Sequence, residues 1–570
     1  MVTKLSLSDF DCIESEENPN EICKVELSCQ YSESFIEREG YTRHCRCRTV
    51  FTDLPIPDNG LSYDMFYKVC SKYQETLRQL WINDVELEWI DNNIFKKYPN
   101  LKYLNLAHNN VKLNFSNQAE KLIELDVSYN SLSLLQPDSF NGLHNLKLLN
   151  VSFNNLQLID SSFINLKHLE EIYLNNNQLT YIQKGEFDNL NNLRILNLAH
   201  NFLTSIRSNL LLVNLQELYL NNNNLSNINK EEFINLPNLR ILNIGYNLFI
   251  KMGDNHTFNK LEQFHCENNW FQHVNKHVFR DLVNLKILNI SNNQLQKLEQ
   301  NTFAQSNNLS VLDASSNFLE QIDSDNFIRF KNLTNLNLNN NSLSENVINC
   351  DNLQNLIKLN VLELSFNKIS EIYDCTFNKL EQLKKLNLMA NQLKKLPPTV
   401  FNSLTKLKDL NLALNEIEQI PDGLLNNLVS LQTLNISHNE ITDFDVKLLN
   451  GNPSLTHFDI KHNKLSKFDL DQFKAKLSFL QVVDLDSSLI VCDKVKDILD
   501  EFKKRGIVIP NCENTKNCCH KNVSDNFWTI VTVALGIIFL ATFGLVTIIY
   551  KCCTSKQEPG VLLIPLTSSK

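Results

Sequence analysis

Glycine and positive charge are both in short supply in this 570-residue chain. It contains only 12 glycines, and it has no glycine-rich phosphate loop, HExxH zinc motif or nucleophile elbow. Asp and Glu outnumber Lys and Arg, which gives a formal net charge of -10 at pH 7. A protein that reads nucleic acid needs clustered Lys and Arg for its phosphate contacts. We therefore expect neither an enzyme nor a nucleic-acid-binding protein, and we expect no cofactor or metal ion.

The first ten residues lack the apolar stretch of about 7–15 residues that defines a secretory signal peptide. Export would then need a sequence upstream of Met1 or an apolar segment within the chain. Residues 527–550 are such a segment, because none of them is charged and a helix of this length spans about 36 Å, against about 30 Å for a hydrocarbon core. Trp528 and Tyr550 suit the two interfaces, and Lys551 follows directly. We predict a single-pass transmembrane helix here.

The middle of the chain repeats one pattern, L-x-x-L-x-L-x-x-N-x-L, usually every 24 residues, as in LKYLNLAHNNV from Leu101 and LKILNISNNQL from Leu285. Degenerate copies begin at Leu77 and Leu480, which gives about 18 units over residues 77–490. Alternating apolar positions place leucines on one face of a short strand, and the residue between them on the other. The strands should stack into one parallel sheet, with an asparagine ladder from Asn109 to Asn463 at the turns. A second motif, F-x-x-L, fills the returning side.

These repeats resemble the extracellular class of leucine-rich repeats in Toll-like receptors and in insect adhesion or immune proteins. The resemblance implies an α/β leucine-rich-repeat solenoid, a curved parallel sheet shaped like a horseshoe, that binds proteins, glycolipids or other large ligands. It also implies cysteine-rich caps over residues 1–76 and 491–526, although the C-x-C pair usual in the second cap is missing. Residues 551–570 would form a short cytoplasmic tail without a signalling domain. Mosquito leucine-rich immune proteins are a further resemblance, though their coiled coil is absent.

Fifteen cysteines, mostly in two terminal clusters, favour an oxidising compartment. Cys350 and Cys375 occupy nearly equivalent positions in adjacent repeats, so we predict a disulfide between them, with two free thiols as the alternative. Cys266 replaces an inward leucine and is predicted to be a buried free thiol. The other predicted disulfide cysteines are Cys12, Cys23, Cys29, Cys45, Cys47, Cys70, Cys492, Cys512, Cys518 and Cys519.

Several covalent modifications and a sorting signal are predicted from short motifs. In the tail, Cys552 and Cys553 are predicted palmitoylation sites, and Glu558, Leu562 and Leu563 resemble an acidic dileucine sorting signal. Glycans on Asn150, Asn289 and Asn435 would cover part of the concave surface. The predicted glycosylation sites are Asn114, Asn150, Asn224, Asn255, Asn289, Asn308, Asn332, Asn340, Asn435 and Asn522, none of which follows residue 550.

A mixed set of charged and aromatic residues interrupts the asparagines that dominate the exposed strand positions. Such residues supply anchors in protein interfaces, although scattered surface residues without a ligand are the alternative interpretation. Tyr129, Phe153 and Tyr246 should lie on the adjoining lateral edge. The predicted ligand-binding patch consists of Glu171, Tyr173, Arg194, Glu217, Tyr219, Arg240 and His265.

From these features we predict a plasma-membrane protein of type I topology, with its repeats outside the cell. It would act as a receptor or co-receptor that binds protein or glycan-bearing ligands in recognition, innate immunity or adhesion. A signalling co-receptor and a homo- or heterodimer are compatible with this prediction. The alternative is a homophilic structural adhesion protein that has no diffusible ligand.

Overall fold

The computed structural model describes residues 23–27, 45–49, 78–83, 87–88, 95–96, 98–113, 115, 119–206, 210–227, 236–251, 258–274, 279, 282–465, 480–484 and 504. The chain divides into two compact units, residues 1–481 and residues 482–570. The second unit contributes one described strand, Val482–Asp484.

The first unit is built on one parallel sheet, to which each repeat adds a strand. Numbered along the chain, its strands are β1 Cys23–Leu27, β2 Cys45–Thr49, β3 Gln79–Ile82, β4 Tyr103–Asn105, β5 Glu124–Asp126, β7 Leu148–Asn150, β9 Glu171–Tyr173, β11 Ile195–Asn197, β13 Glu217–Tyr219, β14 Ile241–Asn243, β15 Gln263–His265, β16 Ile287–Asn289, β18 Val311–Asp313, β20 Asn335–Asn337, β21 Val361–Glu363, β22 Lys385–Asn387, β23 Asp409–Asn411, β24 Thr433–Asn435 and β25 His457–Asp459.

The register of the sheet follows the leucine pattern. Leu104 pairs with Leu125, and Leu125 pairs with Leu149, so equivalent leucines form continuous rows across the strands. These leucines are buried, and the strand residues on either side of them are only partly covered. The fourth residue of each repeat therefore faces the core. The second, third and fifth residues line the opposite side, which we call the open face of the sheet.

The predicted asparagine ladder is present, and its geometry explains why the turns need asparagine. Asn130 accepts a hydrogen bond from the backbone N–H of Val111 at 2.8 Å and donates through Nδ2 to the carbonyls of Leu106, Val127 and Ser128 at 3.0–3.1 Å. This side chain thus accepts from a buried N–H that has no other described acceptor, and leaving that N–H unpaired would cost about 1–3 kcal/mol. It also donates to three carbonyls, each of which accepts a second hydrogen bond from a neighbouring turn. No other neutral side chain of this size combines these donors and acceptors.

A second asparagine ladder runs along the outside of the repeats and was not predicted. Its members are the asparagines directly before the first leucine of a repeat. The Nδ2 of each asparagine donates to a backbone carbonyl 23 or 25 residues earlier in the chain. The members with such bonds at 2.7–3.0 Å are Asn145, Asn192, Asn214, Asn238, Asn284, Asn308 and Asn332. Most of them are exposed, so this ladder links neighbouring turns at the surface.

The returning side of the repeats is filled by phenylalanine, as the F-x-x-L motif predicts. Phe140, Phe163 and Phe187 are buried and stack with ring centroids 6.0–6.1 Å apart, and Phe279 and Phe303 continue the same arrangement at 5.7 Å. Offset stacking of this kind adds to the free energy gained by burying the rings.

Short elements complete the returning side among the described residues. They are helix α1 Ser324–Arg329, helix α2 Cys350–Leu353 and a 3-10 helix at Val446–Leu449. Two-stranded parallel ribbons pair β6 Leu134–Leu135 with β8 Leu158–Ile159, β10 Tyr181–Ile182 with β12 Ser205–Ile206, and β17 Lys297–Leu298 with β19 Gln321–Ile322.

The sheet extends into residues 1–76, which we predicted to be a cap. Strand β1 pairs in parallel with both β2 and β3, so the order at this end is β2, β1, β3. The remainder of that cap, the predicted cap at 491–526 and the predicted transmembrane helix at 527–550 lie outside the described residues. In the described part of the chain, no helix reaches the length and apolarity that a bilayer crossing requires.

Candidate functional site

The predicted ligand-binding residues all lie on the open face, within adjacent strands from β9 to β15. Glu171 and Tyr173 are the ends of β9, Glu217 and Tyr219 are the ends of β13, and His265 ends β15. The remaining two, Arg194 and Arg240, directly precede β11 and β14. The parallel register brings all seven residues onto one surface, because each strand pairs with the next without a gap.

Two Glu–Tyr pairs dominate the centre of this surface. The Tyr173 hydroxyl donates to Glu171 Oε2 at 2.9 Å, and the Tyr219 hydroxyl donates to Glu217 Oε2 at 2.8 Å. Partial burial and the bonded carboxylate disfavour the phenolate, which raises the pKa of Tyr173 and brings the pKa of Tyr219 to about 12. Each tyrosine therefore remains a protonated donor that is fixed in orientation, and each glutamate keeps one oxygen for a ligand.

Both arginines of the predicted patch form ion pairs along the open face. Arg194 Nη1 lies 3.6 Å from Glu170 Oε2, and Lys147 Nζ lies 2.7 Å from the other oxygen of this carboxylate. These cations lower the pKa of Glu170. The Glu170 carboxylate therefore links side chains from three adjacent repeats, and the Arg194 side chain remains about half exposed.

A second triad repeats this arrangement around Glu262. Arg240 Nε lies 2.8 Å from Glu262 Oε1, and Lys286 Nζ lies 2.7 Å from Oε2. The two cations bring the pKa of Glu262 to about 2, and the carboxylate raises the pKa of Arg240, with a smaller contribution from Glu217. Four residues of these triads were not predicted, although opposite charges at the second position of consecutive repeats indicate them: Lys147, Glu170, Glu262 and Lys286.

Glu267 borders the patch beside His265, and its carboxylate is mostly buried. Burial raises the pKa of Glu267, and no described hydrogen-bond donor reaches its Oε2. The carboxylate packs against Gly245 of the preceding repeat. A Cβ atom at position 245 would lie only 2.7 Å from Glu267 Oε1 and would clash with it. Glycine at position 245 therefore leaves the space that the Glu267 side chain occupies.

The lateral edge carries an exposed stack of rings. His108, Tyr129 and Phe153 stack with ring centroids 4.2 Å apart, and Tyr129 and Phe153 remain 43% and 39% exposed. All three have positive φ values of 52–57°, as does Tyr246 at 55°. Large side chains rarely adopt this left-handed conformation, because Cβ approaches the backbone. The ladder turn imposes it on the residue before each ladder asparagine, and so projects these rings outward.

The sequons fall into distinct environments. Asn150, Asn289 and Asn435 end strands on the open face, where each Oδ1 accepts from the backbone N–H of the sequon serine and from its hydroxyl at 2.7–3.1 Å. Asn224 is exposed, Asn308 and Asn332 belong to the outer ladder, and Asn340 donates to Ser316. Asn114, Asn255 and Asn522 lie outside the described residues.

The structure joins Cys350 and Cys375 in a disulfide with a Cα–Cα distance of 5.3 Å, which links α2 to the following repeat. Cys266 is a buried free thiol whose pKa is raised by burial, so it is unreactive. Cys23, Cys45 and Cys47 are described only as parts of the backbones of β1 and β2.

Other predicted residues lie outside the described residues: Cys12, Cys29, Cys70, Cys492, Cys512, Cys518, Cys519, Cys552, Cys553, Glu558, Leu562 and Leu563. Within the described ranges, no group of three or more His, Cys, Asp or Glu side chains is arranged to hold a metal ion.

Comparison with known protein families identifies the repeats. A family model described as "Leucine rich repeat" matches residues 156–203, 191–249, 259–319, 381–441 and 430–490, and a related leucine-rich-repeat model matches residues 121–143. Bovine osteomodulin (Bos taurus) is 36% identical over 91 residues, which cover 16% of this chain. The match spans only 21% of the length of osteomodulin.

Solved structures show the same fold. A leucine-rich-repeat protein of Leptospira interrogans aligns with 77% of this chain and 97% of its own, at a TM-score of 0.55 and 24% identity. A chain of the Toll–Spatzle complex of Drosophila aligns with 75% of this chain and 62% of its own, at a TM-score of 0.56 and 19% identity.

Proposed function

Taking the leucine-rich repeats of this chain as the premise, we propose that it is a cell-surface receptor or co-receptor whose open sheet face binds a protein or peptide partner. The observation that carries this proposal is the pair of oriented tyrosines, Tyr173 and Tyr219, each hydrogen-bonded to a glutamate on its own strand. Their orientation is fixed before a ligand arrives, so binding costs little side-chain entropy. Tyrosine and arginine are also the residue types that dominate binding energy in protein interfaces.

The charge pattern around the tyrosines supports a polar protein partner. The triads around Glu170 and Glu262 flank the two Glu–Tyr pairs and present cationic groups that are about half exposed. Exposed ion pairs contribute little to stability, whereas charged groups on a binding surface contribute to partner recognition and to the rate of association. An enzymatic role has no support from this arrangement, and the matching family is a leucine-rich-repeat family.

The proposal includes a membrane anchor at residues 527–550, with type I topology and the repeats outside the cell. This part is supported by the uncharged sequence of that segment and by the sequons that precede it. A role in recognition, in innate immunity or in adhesion is proposed on the same basis, as is glycosylation of the exposed sequons.

The decisive experiment is crosslinking on intact cells that express the full-length protein, with a membrane-impermeant reagent and identification of captured proteins by mass spectrometry. We expect a partner that is captured by the wild type and reduced at least tenfold in the double variant Tyr173→Ala, Tyr219→Ala, since hot-spot tyrosines typically account for about 2 kcal/mol each. The matched control is Thr433→Ala with His457→Ala, which alters the open face on β24 and β25.

Two results would overturn the proposal. Equal capture by the wild type and the tyrosine variant, at equal surface levels, would move the binding site away from this patch. Labelling of the repeats only after permeabilisation would contradict the topology. Aggregation of otherwise non-adhesive cells by the protein alone, with no other partner captured, would favour the homophilic adhesion protein instead.

A further inference from the structure

The open face contains an internal duplication larger than one repeat. The segments LEEIYLNNN and LQELYLNNN begin at Leu169 and Leu215, and LRILN follows each of them, beginning at Leu193 and Leu239. Strands β9 and β11 thus present Glu171, Tyr173, Ile195 and Asn197. The next two strands present the same four types as Glu217, Tyr219, Ile241 and Asn243. A ligand that fits one half of this surface meets the same groups again two strands further on.

The residues at the third position of successive repeats form a column across the strands, in which acidic and aliphatic side chains alternate. Register pairs Glu124 with Leu148, Leu148 with Glu171, Glu171 with Ile195, Ile195 with Glu217 and Glu217 with Ile241. A carboxylate therefore occurs on every second strand, with an aliphatic side chain between. Neighbouring strands lie about 4.8 Å apart, so successive carboxylates are spaced by about 9.6 Å.

These three carboxylates differ from Glu170 and Glu262, which lie at the second position of their repeats on the same face. Glu170 and Glu262 are each held by two cations, whereas Glu124, Glu171 and Glu217 form no ion pair with any described residue. In addition, Asn197 and Asn243 use Oδ1 to accept from the backbone, and their Nδ2 groups have no described partner. The column thus offers carboxylates that have no cation partner among the described residues and, beside them, amide donors for carbonyl groups.

We propose that this column binds an extended peptide segment in the polyproline II conformation, with Lys or Arg at every third residue. This inference rests on the proposed function and names the chemistry of its partner. A polyproline II chain has three residues per turn and rises about 3.1 Å per residue, so every third side chain faces the sheet at intervals of about 9.3 Å. The cationic groups meet Glu124, Glu171 and Glu217, their methylene stems cover the aliphatic residues between, and the free backbone carbonyls meet Asn197 and Asn243.

Other peptide conformations do not match the column. The residues on one face of a β-strand recur at about 6.6 Å. In an α-helix, residues i and i+7 recur at about 10.5 Å, and its backbone carbonyls are already bonded within the helix. The polyproline II chain matches the spacing, and its carbonyls are unbonded. The positive charge of its Lys or Arg side chains also complements a column of carboxylates that form no ion pair with a described residue.

The test uses three fluorescently labelled peptides of equal charge and different lysine spacing, and measures their binding to the purified full-length protein by anisotropy. They are (Pro-Lys)3, (Pro-Pro-Lys)3 and (Pro-Pro-Pro-Lys)3, with (Pro-Pro-Gln)3 as the neutral reference. We expect (Pro-Pro-Lys)3 to bind at least about tenfold more tightly than the other two lysine peptides, since only it places a charge-assisted hydrogen bond at every carboxylate.

The variants Glu171→Gln and Glu217→Gln should each weaken binding of (Pro-Pro-Lys)3 by about tenfold. Glutamine still accepts a hydrogen bond from the neighbouring tyrosine, so the surface keeps its shape. Asp409→Asn is the matched control, because Asp409 occupies the same position of the repeat on β23, far from the column. Its affinity for the peptide should equal that of the wild type.

Equal affinity for the three lysine peptides would show unspecific charge attraction, and preference for (Pro-Lys)3 would show a β-strand mode. Either result, or no binding of any lysine peptide, overturns the inference. The proposed function fails separately, when capture of the cellular partner is insensitive to the Tyr173 and Tyr219 substitutions. A partner whose capture depends on these tyrosines but not on Glu171 or Glu217 would refute the peptide chemistry alone.

Discussion

Replacing Asn293 by alanine tests the physical basis of the whole repeat. Asn293 Oδ1 accepts from the backbone N–H of Phe271 at 3.1 Å, and its Nδ2 donates to the carbonyls of Cys266, Ile290 and Ser291 at 3.0–3.1 Å. The side chain is 5% exposed, so water cannot replace these bonds without a rearrangement of the turn. The Asn293→Ala variant therefore removes a donor set and an acceptor at once.

In the Asn293→Ala variant the three carbonyls each keep one hydrogen bond, whereas the backbone N–H of Phe271 loses its acceptor. Cys266 O still accepts from Asn269 and Ile290 O from Asn317, while Ser291 O still accepts from the backbone N–H of Asn268. The Phe271 N–H has no second described acceptor. One orphaned buried donor costs about 1–3 kcal/mol, and each of the three lost bonds to carbonyls contributes about 0.5 kcal/mol. We expect local unfolding to become easier by about 3 kcal/mol.

The control is Asn284→Ala, directly before the repeat that contains Asn293. Asn284 belongs to the outer ladder, is exposed and donates one hydrogen bond, to the carbonyl of Asn259 at 2.7 Å. Water replaces that bond readily, so we expect a loss of about 0.5 kcal/mol. A second variant, Asn293→Asp, keeps the acceptor for Phe271 but turns a carboxylate oxygen toward three carbonyls. It should be at least as damaging as Asn293→Ala at neutral pH.

Hydrogen exchange measured by mass spectrometry on the full-length protein reports the effect locally. A loss of about 3 kcal/mol accelerates exchange by about a hundredfold. The acceleration should be confined to the repeats around residues 261–317 and be absent at residues 407–441, because each repeat of a solenoid contacts only its neighbours. Equal protection in the Asn293→Ala and Asn284→Ala variants would refute the assignment of inner and outer ladders.

Two further predictions concern pH and membrane traffic. Burial raises the pKa of Glu267, so its folded state binds a proton more tightly than its unfolded state does, and stability is lost as pH rises from its unfolded pKa through the folded one. Glu267→Gln should therefore raise the melting temperature at pH 7 but not at pH 3.5, and parallel melting profiles for the two proteins would contradict this. In the proposed cytoplasmic tail, Leu562→Ala with Leu563→Ala should slow the uptake of an antibody against the repeats, and an unaltered uptake rate would leave the tail without a sorting role.

Local pattern was enough to predict the strands and the core. Leu104 and its equivalents recur with the period of the repeat, and a strand places alternate residues on opposite faces, so burial follows from spacing alone. The asparagine at each turn is equally predictable, because a buried turn needs one side chain with both donors and acceptors. The surface positions of Tyr173 and Tyr219 follow from the same alternation.

The side-chain contacts between neighbouring repeats could be predicted from the sequence only in part. Arg194 and Arg240 stand out in the sequence as charged surface residues, but their ion pairs with Glu170 and Glu262 depend on which strands lie side by side and on the direction of long, flexible side chains. The outer asparagine ladder was missed for a related reason. Asparagine is common throughout this chain, so a residue such as Asn284 does not stand out until its neighbour's carbonyl is in place.

The sequence by itself determined the repeat, its buried faces and the positions that reach the open face, since these depend on short-range periodicity. Only the tertiary structure decided the register between repeats, because register is set by the packing of each turn on the next. That register brings Glu124, Glu171 and Glu217 into one column at every second strand and ties the nearby arginines to Glu170 and Glu262, so that no described cation pairs with the three carboxylates of the column. The chemistry of the open face thus arises from contacts between residues that lie one repeat apart in the chain.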